Sequence, residues 1–368
     1  MIRIALIGLG KMGMSHLAII NSHPDVDLVA VCDSTAYILD VLSKYTGVRC
    51  YTDYFKLLNE EKLDAVVIAT PSRFHGEMVK AALDRDLGVY CEKPFCLDVS
   101  EGAKLAELAD RKGLANQVGY HYRFVATFQK MKRLIDAGTL GDIHHFRAEA
   151  YGPVVLRPTG STWRSSKREG GGCLYDYACH AIDLVHYLVG RPDAVGGTVL
   201  NKVFSRDVED EVYSTFFYAD GKTGQLAANW SDESHRKMSV KVTVWGTNGK
   251  VSADRQEIQV YLRDSVHERP ELVRGWNVLY TTELTDPVWF YLRGEEYSAQ
   301  IDHFIQSVKR RDKNTLCTFR AAAEVDLVAA MMLKDVHSEH PGVAPETRNE
   351  DQQHSKGGAL EAIRNFLR

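Results

Sequence analysis

Ile2-Arg3-Ile4-Ala5-Leu6-Ile7-Gly8-Leu9-Gly10-Lys11-Met12-Gly13 decides the fold. Ile2–Ile7 is a near-continuous apolar run, the pattern of a strand covered on both faces, as in a parallel sheet. It runs straight into G-x-G-x-x-G, and a helix is expected over Lys11–Asn21. Strand, glycines and helix in that order are the context in which the motif has a mechanism. Gly8 permits the tight turn, Gly10 lets the backbone approach a pyrophosphate, and Gly13 allows close helix packing. The helix N-terminus, with Lys11 and Met12 in its first turn, offers amides and a positive dipole end to phosphates.

Working outward, the next strand, Asp27–Cys32, ends at Asp33, twenty positions past Gly13. An acidic side chain at that spacing accepts hydrogen bonds from adenosine ribose hydroxyls. Ser34 follows and no arginine stands beside it to neutralise a 2′-phosphate, so NAD is expected over NADP. A helix within Thr35–Tyr45, a strand at Ala65–Ala69, a helix around Glu77–Arg85, a strand at Val89–Cys91, a helix at Ser100–Lys112 capped by Ser100, and a strand at Ala115–Val118 continue the alternation. Repeated β–α–β units imply a doubly wound parallel sheet over residues 1–120. Loops at the carboxyl ends of its strands line the ligand crevice, which makes Thr70, Pro71, Ser72, His75 and Glu92 candidate cofactor contacts. His75 receives no catalytic role. Lys93 stands just past the carboxyl end of the Val89–Cys91 strand, ahead of Pro94, which restricts it toward extended backbone. Its ammonium can donate to an alcohol or carbonyl oxygen, and partial burial would lower its pKa toward proton transfer.

Beyond Gly119 the rhythm changes. A helix at Phe128–Ala137 and a strand at Ile143–Tyr151 lead into a Gly/Pro/Ser-rich loop, Gly152–Gly172, and a helix at Asp176–Val189. Strands at Val208–Tyr218, Gly224–Trp230, Ser239–Trp245 and Lys250–Ala253 follow with no helix between them, which predicts an open antiparallel sheet in an α+β domain, 121–340. Glu296–Arg310 and Arg320–Ser338 read as closing helices. Residues 341–368 form a polar tail, with Pro341–Gly358 mobile and Ala359–Arg368 able to form a short amphipathic turn.

Gly170-Gly171-Gly172 precedes the helix that carries Asp176 and His180. These two are four apart, so they share one helical face and can act together. An imidazole titrates near neutral pH, which makes His180 the natural general acid/base, with Asp176 orienting the substrate or the ring. In the loop before them, Arg157, Trp163, Arg164, Lys167 and Arg168 form a basic cluster. Arg164 suits bidentate binding of a phosphate or carboxylate, and Trp163 suits stacking on a sugar face.

Gly8–Gly13, the tripeptide Glu92-Lys93-Pro94, Tyr122-Arg123-Phe124, and the glycine-rich segment ending in Asp176 and His180 together resemble the glucose–fructose oxidoreductase/inositol dehydrogenase (Gfo/Idh/MocA) family over about residues 1–340. The resemblance implies a Rossmann domain, an antiparallel sheet used to form a homodimer or homotetramer, and a Lys93/Asp176/His180 site that oxidises or reduces a sugar or cyclitol carbon with a nicotinamide. It also places Tyr122 and Arg123 at the substrate. His121 stands where the family often has Asn, and Ala178 where Gly is usual.

The bulk numbers close off other classes. A net charge of −4 with no long basic run argues against nucleic acid. No apolar stretch approaches the ~20 residues of a membrane span. Seven cysteines without a Cys-x-x-Cys pair fit free thiols in a reducing cytoplasm and no metal site. Two rival readings remain open on sequence: a glycosidase that uses NAD for transient oxidation, and a non-catalytic nucleotide-binding regulator.

Overall fold

The computed structural model describes residues 1–154, 163–266, 271–287, 289–290 and 294–336. Arg157, part of the expected basic cluster, and the tail after Ser338 lie outside the described residues.

Six parallel strands, β1 Ile2–Ile7, β2 Val26–Cys32, β3 Arg49–Tyr51, β4 Ala65–Ile68, β5 Gly88–Cys91 and β6 Asn116–Val118, pair in the order β3-β2-β1-β4-β5-β6. This is the doubly wound sheet that the repeated β–α–β units predict. The helices between them are α1 Lys11–Ser22, α2 Ala36–Thr46, α3 Tyr54–Glu60, α4 His75–Leu83 and α5 Val99–Lys112. The apolar run of β1 follows from its two covers. Ile4 and Leu6 join a core with Ile19 and Ile20 of α1, whereas Ala5 and Ile7 join one with Val79 of α4 and Leu105 of α5. Residue period 2 therefore sends alternate side chains of Ile4–Ile7 into different cores, and all four are buried.

α5 is capped by Asp98, which accepts the Glu101 amide at 3.0 Å, and not by Ser100. The carboxylate two positions earlier already satisfies that donor, so the helix starts at Val99. Its end is as expected, with Gly113 in the left-handed region at φ +66°.

After α6, Ala126–Asp136, comes the second sheet: β7 Ile143–Tyr151, then α7 Cys179–Val189, then β8 Ala194–Asn201, β9 Glu211–Phe217, β10 Thr223–Asn229, β11 Ser239–Gly246, β12 Gly249–Ala253, β13 Glu257–Leu262 and β14 Gly275–Tyr280. The order is β14-β13-β12-β11-β7-β10-β9-β8. Neighbours are antiparallel except β7 and β10, which run parallel. The crossover through α7 causes this exception. It returns the chain in the direction of β7, and two hairpin reversals leave β10 pointing the same way. One face of this sheet, with Phe146, Ala148, Leu226, Val242 and Val244, packs with Ile182 and Val185 of α7 in one core.

The chain closes with the short α8 Thr281–Leu284, then α9 Glu295–Arg310 and α10 Phe319–Val336. α9 returns to the first sheet, where Ile301, Phe304 and Ile305 join Ile4, Leu6 and Tyr90. Truncating Phe304 to Ala would cost ~3–5 kcal/mol from lost transfer energy and the cavity left behind. Among the described residues, no helix is long and apolar enough to cross a membrane.

Candidate active site

The glycine turn is shaped as the motif requires. Gly8 has φ +97°, and a β-carbon on Gly13 would overlap the Gly8 carbonyl oxygen, so helix and turn meet backbone to backbone. A β-carbon on Gly10 would meet nothing of the protein within 4 Å. That open space at the start of α1 fits a phosphate group. Lys11 and Met12 open the helix there. The Asp33 carboxylate accepts the Leu9 amide at 2.6 Å and the Thr35 amide at 2.8 Å. It is thereby bound to the glycine turn itself and keeps acceptor capacity for ribose hydroxyls. Ser34 beside it is exposed.

Two expected cofactor contacts are engaged inside the protein instead. His75 is fully buried, with its ring nitrogens 3.0 Å from the Thr70 carbonyl and 2.8 Å from the Pro94 carbonyl. It ties the Thr70–Ser72 loop to the Glu92–Pro94 loop and has no nitrogen left for a ligand. Glu92 is buried, 2.7 Å from Nε2 of His16, and also accepts the Lys93 amide. Burial alone would push its carboxyl up, but the hydrogen bond and charge of His16 hold it below the usual range. His16 was missed by sequence reasoning. Its one signal is a polar side chain on the buried face of α1, one turn past Gly13.

The Lys93–Pro94 peptide is cis. Lys93 Nζ donates to Asp176 Oδ1 at 2.8 Å and to the Asp176 carbonyl at 3.0 Å. Arg164 Nε donates to the other carboxylate oxygen at 2.8 Å. One buried carboxylate thus bridges two cations. Burial pushes the Asp176 pKa up, but Lys93 and Arg164 outweigh it and hold the group ionised. Lys93 departs from expectation. Burial does press its pKa down, but the adjacent Asp176 charge carries it above the ordinary value, so it stays an ammonium. It is a donor and a positive charge, not a base.

Asp176 and His180 are not joined directly as a surface i,i+4 pair. Leu174–Ala178 forms a π-helical turn ahead of α7, of a kind often found at functional sites. Asp176 turns to Lys93 and Arg164, while the His180 ring meets Tyr120, His121 and Tyr122 edge to face at 5.9, 5.0 and 5.4 Å. Among the described residues, His180 Nδ1 is buried without a hydrogen-bond partner. Burial, then the charge of Lys93, then His121 push its pKa well below the ordinary imidazole value.

Tyr122 is at the site, against His180, but Arg123 is not free to bind a substrate. Its guanidinium holds both oxygens of Asp183 at 2.6–3.0 Å and the Leu316 carbonyl at 2.9 Å. Asp183 lies on α7, one turn past His180, so the pair pins the Tyr120–Tyr122 rings onto the imidazole. Tyr297 of α9, also missed, stacks on His121 at 4.5 Å. Trp163 is half-buried and carries the Arg164 guanidinium over its ring at 4.7 Å. Lys167 and Arg168 are exposed.

The geometry is thus a dinucleotide turn whose neighbouring loop delivers a lysine to a buried aspartate and histidine. Residues 2–120 match the oxidoreductase family, NAD-binding Rossmann fold, and residues 128–252 match the GFO/IDH/MocA C-terminal domain. The chain is 26% identical over 320 residues to a myo-inositol 2-dehydrogenase of Thermotoga maritima, covering 83% of this chain and 88% of that protein. It is 27% identical over 257 residues to a scyllo-inositol 2-dehydrogenase (NAD(+)) of Bacillus subtilis, covering 68% and 73%. A levoglucosan dehydrogenase solved with NADH and levoglucosan superposes with a TM-score of 0.78 at 23% identity, over 91% of this chain and 96% of that one. The chain belongs to the GFO/IDH/MocA family of oxidoreductases, and residues 2–120 are its NAD-binding Rossmann fold.

Proposed function

We propose that this protein is an NAD-dependent dehydrogenase acting on one hydroxyl-bearing carbon of a sugar or cyclitol, with Lys93, Asp176 and His180 as its catalytic residues. The observation that carries the reading is the buried Lys93–Asp176 pair at 2.8 Å beside a histidine whose Nδ1 has no partner. The inositol dehydrogenases among its relatives support the substrate class.

When bound, the nicotinamide supplies the hydride acceptor or donor. His180, neutral in its buried setting, takes the substrate hydroxyl proton in the oxidative direction. Lys93, held as an ammonium, stabilises the developing alkoxide oxygen. Asp176 keeps Lys93 charged and aimed, and Arg164 keeps Asp176 ionised. In the reductive direction the same groups return the proton to the oxygen. Gly8, Gly10, Lys11, Met12, Gly13, Asp33, Ser34, Thr70, Pro71 and Ser72 are the residues we assign to the dinucleotide, and Tyr122 and Trp163 to the substrate.

Lys93→Met and His180→Ala should each lower turnover by ~10²-fold or more and leave NAD affinity within a few-fold. The assay follows nicotinamide absorbance with a panel of sugars and cyclitols. Wild-type turnover in both variants removes these residues from the mechanism. Release of sugar with no net absorbance change would mark a transient-oxidation glycosidase instead.

A second copy of the chain is the proposed cover for the open face of the second sheet. Tyr261 of β13 and Trp276, Val278 and Tyr280 of the edge strand β14 stand exposed there, a patch that a monomer rarely tolerates. Light scattering at micromolar concentration tests the expected dimer or tetramer. Seven free cysteines support a cytoplasmic setting.

A further inference from the structure

Asp176 and Arg164 are twelve residues apart, and a single residue, Gly172, spaces them. Its N–H donates to the Arg164 carbonyl at 3.1 Å, and its carbonyl accepts the Asp176 amide at 3.1 Å. Gly172 belongs to a run of three glycines, the residue type with most backbone freedom to lose. The run cannot be stiffened from within. A β-carbon on Gly171 would overlap the Arg164 carbonyl oxygen, and Gly172 sits at φ +109°. Its rigidity has to come from outside.

Glu209 supplies the outer contact. Its Oε1 accepts the Leu174 amide at 2.8 Å, and its own carbonyl accepts the Cys173 amide at 3.0 Å. A β-carbon on Gly172 would overlap Glu209 Oε1, so the carboxylate lies directly behind that peptide. Glu209 is itself held firmly. The next residue, Asp210, accepts the amides of Val203, Phe204 and Ser205 at 2.6–2.8 Å and the Trp230 indole at 2.8 Å.

We propose that Glu209 is a positioning residue: it braces the Gly172–Leu174 backbone so that the glycine run holds Arg164 and Asp176 in register for Lys93. The consequence for catalysis rests on the proposed roles of Lys93, Asp176 and His180. The bracing itself does not. Removing the carboxylate leaves the Leu174 amide unpaired and opens space behind Gly172. A site residue displaced by about 1 Å can lose ~10²-fold in rate.

The test compares Glu209→Ala, Glu209→Gln and Glu209→Asp. Amide hydrogen exchange over residues 170–178 is measured on the protein without added cofactor, alongside turnover and NAD affinity. Glu209→Ala should lose protection at Leu174 and Asp176, drop kcat by ~10- to 100-fold, and keep NAD affinity within about threefold. Glu209→Gln keeps the acceptor and should recover both exchange and kcat to within about threefold of wild type. Glu209→Asp draws the acceptor back by one methylene and should fall between them, which also covers an alanine variant that does not fold. Unchanged exchange in both Ala and Asp variants overturns the bracing. So does a Gln variant as impaired as Ala in exchange. Lys93→Met and His180→Ala are run in parallel. If those two stay active while Glu209→Ala loses protection, the proposed chemistry fails and the bracing stands.

Discussion

His121 and His180 meet edge to face at 5.0 Å, both buried. Burial pushes both imidazoles down, His121 to about 3, with Arg255 adding to it there and Lys93 adding to it at His180. A depressed pKa means that the free base persists far below pH 6.5, and the base is the form that oxidation needs. kcat/KM for oxidation, which reports the free enzyme, should therefore be flat from pH 6 to 8. Initial rates below KM in overlapping buffers check it. An acid limb near pH 6.5 would show that His180 titrates as in water.

The same histidine pair predicts how acid weakens the fold. His121 has a folded pKa of about 3 against ~6.5 unfolded. The stability it contributes is complete above pH 6.5 and is lost as pH falls from there toward 3, because the unfolded chain binds the proton first. That amounts to about 2 kcal/mol by pH 5 for this one group. His121→Phe keeps a ring against Tyr297 and removes the titration. Its urea midpoint should fall less than that of wild type between pH 7.5 and 5, and parallel slopes would contradict the assignment.

Some of this was legible because the signal is local. Gly8, Gly10 and Gly13 stand between an apolar strand and a helix, and the spacing to Asp33 follows from one β–α–β unit. The second sheet was read only in part. β8 carries Gly196 and Gly197, and β13 and β14 lie past the last hairpin read, while in the first sheet the unread β3 is only three residues long. The parallel pairing of β7 with β10 depends on the path through α7, which no strand pattern encodes. The site's partners are the least visible layer. His16 lies 76 residues from Glu92, Arg123 60 from Asp183, and Lys93 83 from Asp176. The i,i+4 spacing of Asp176 and His180 is real, but a π-helical turn and two distant cations decide where the carboxylate turns.

Asp33 should govern the choice of dinucleotide. Its carboxylate is bonded to the Leu9 and Thr35 amides, and among the described residues none of its hydrogen bonds reaches a basic side chain. A 2′-phosphate there would meet a fixed negative charge. NAD should bind more tightly than NADP, and Asp33→Ala should narrow that ratio by ~10-fold or more, mostly by weakening NAD. Fluorescence titration with both dinucleotides measures it. An unchanged ratio would place the discrimination elsewhere.

Asp326 of α10 is a buried carboxyl that accepts the Cys96 amide at 2.9 Å, just past the Lys93–Pro94 peptide. Burial pushes its pKa up to about 8, over the opposing amide hydrogen bonds. A folded pKa raised above the unfolded ~3.9 means that its contribution is full below pH ~4 and is lost as pH rises through about 8. Asp326→Asn keeps an acceptor without the charge. Its stability gain over wild type should grow by about 1.4 kcal/mol per pH unit between pH 5 and 8, then level off. Denaturant midpoints at pH 5.5, 7 and 8.5 test this. A variant weaker at every pH would show the ionised carboxylate to be the stabilising form.

Arg164 decides between two kinds of substrate. A basic loop before the helix that carries His180 suggests a handle for a phosphate or carboxylate, but the Arg164 Nε lies 2.8 Å from Asp176 Oδ2, so its charge is balanced within the protein. Lys93, Asp176 and Arg164 together carry one net positive charge. That favours a developing alkoxide on any substrate and does not single out an anionic one. Arg164→Ala should therefore lower kcat by ~10-fold or more on neutral and anionic sugars alike, because Asp176 loses the partner that fixes it. A Lys variant should recover little, since an ammonium lacks the planar fork that reaches both the carboxylate and the Trp163 face. Steady-state kinetics on a hexose and its uronate, side by side, separates the cases. A rise in KM confined to the uronate, with kcat unchanged, would return Arg164 to the role of anion handle.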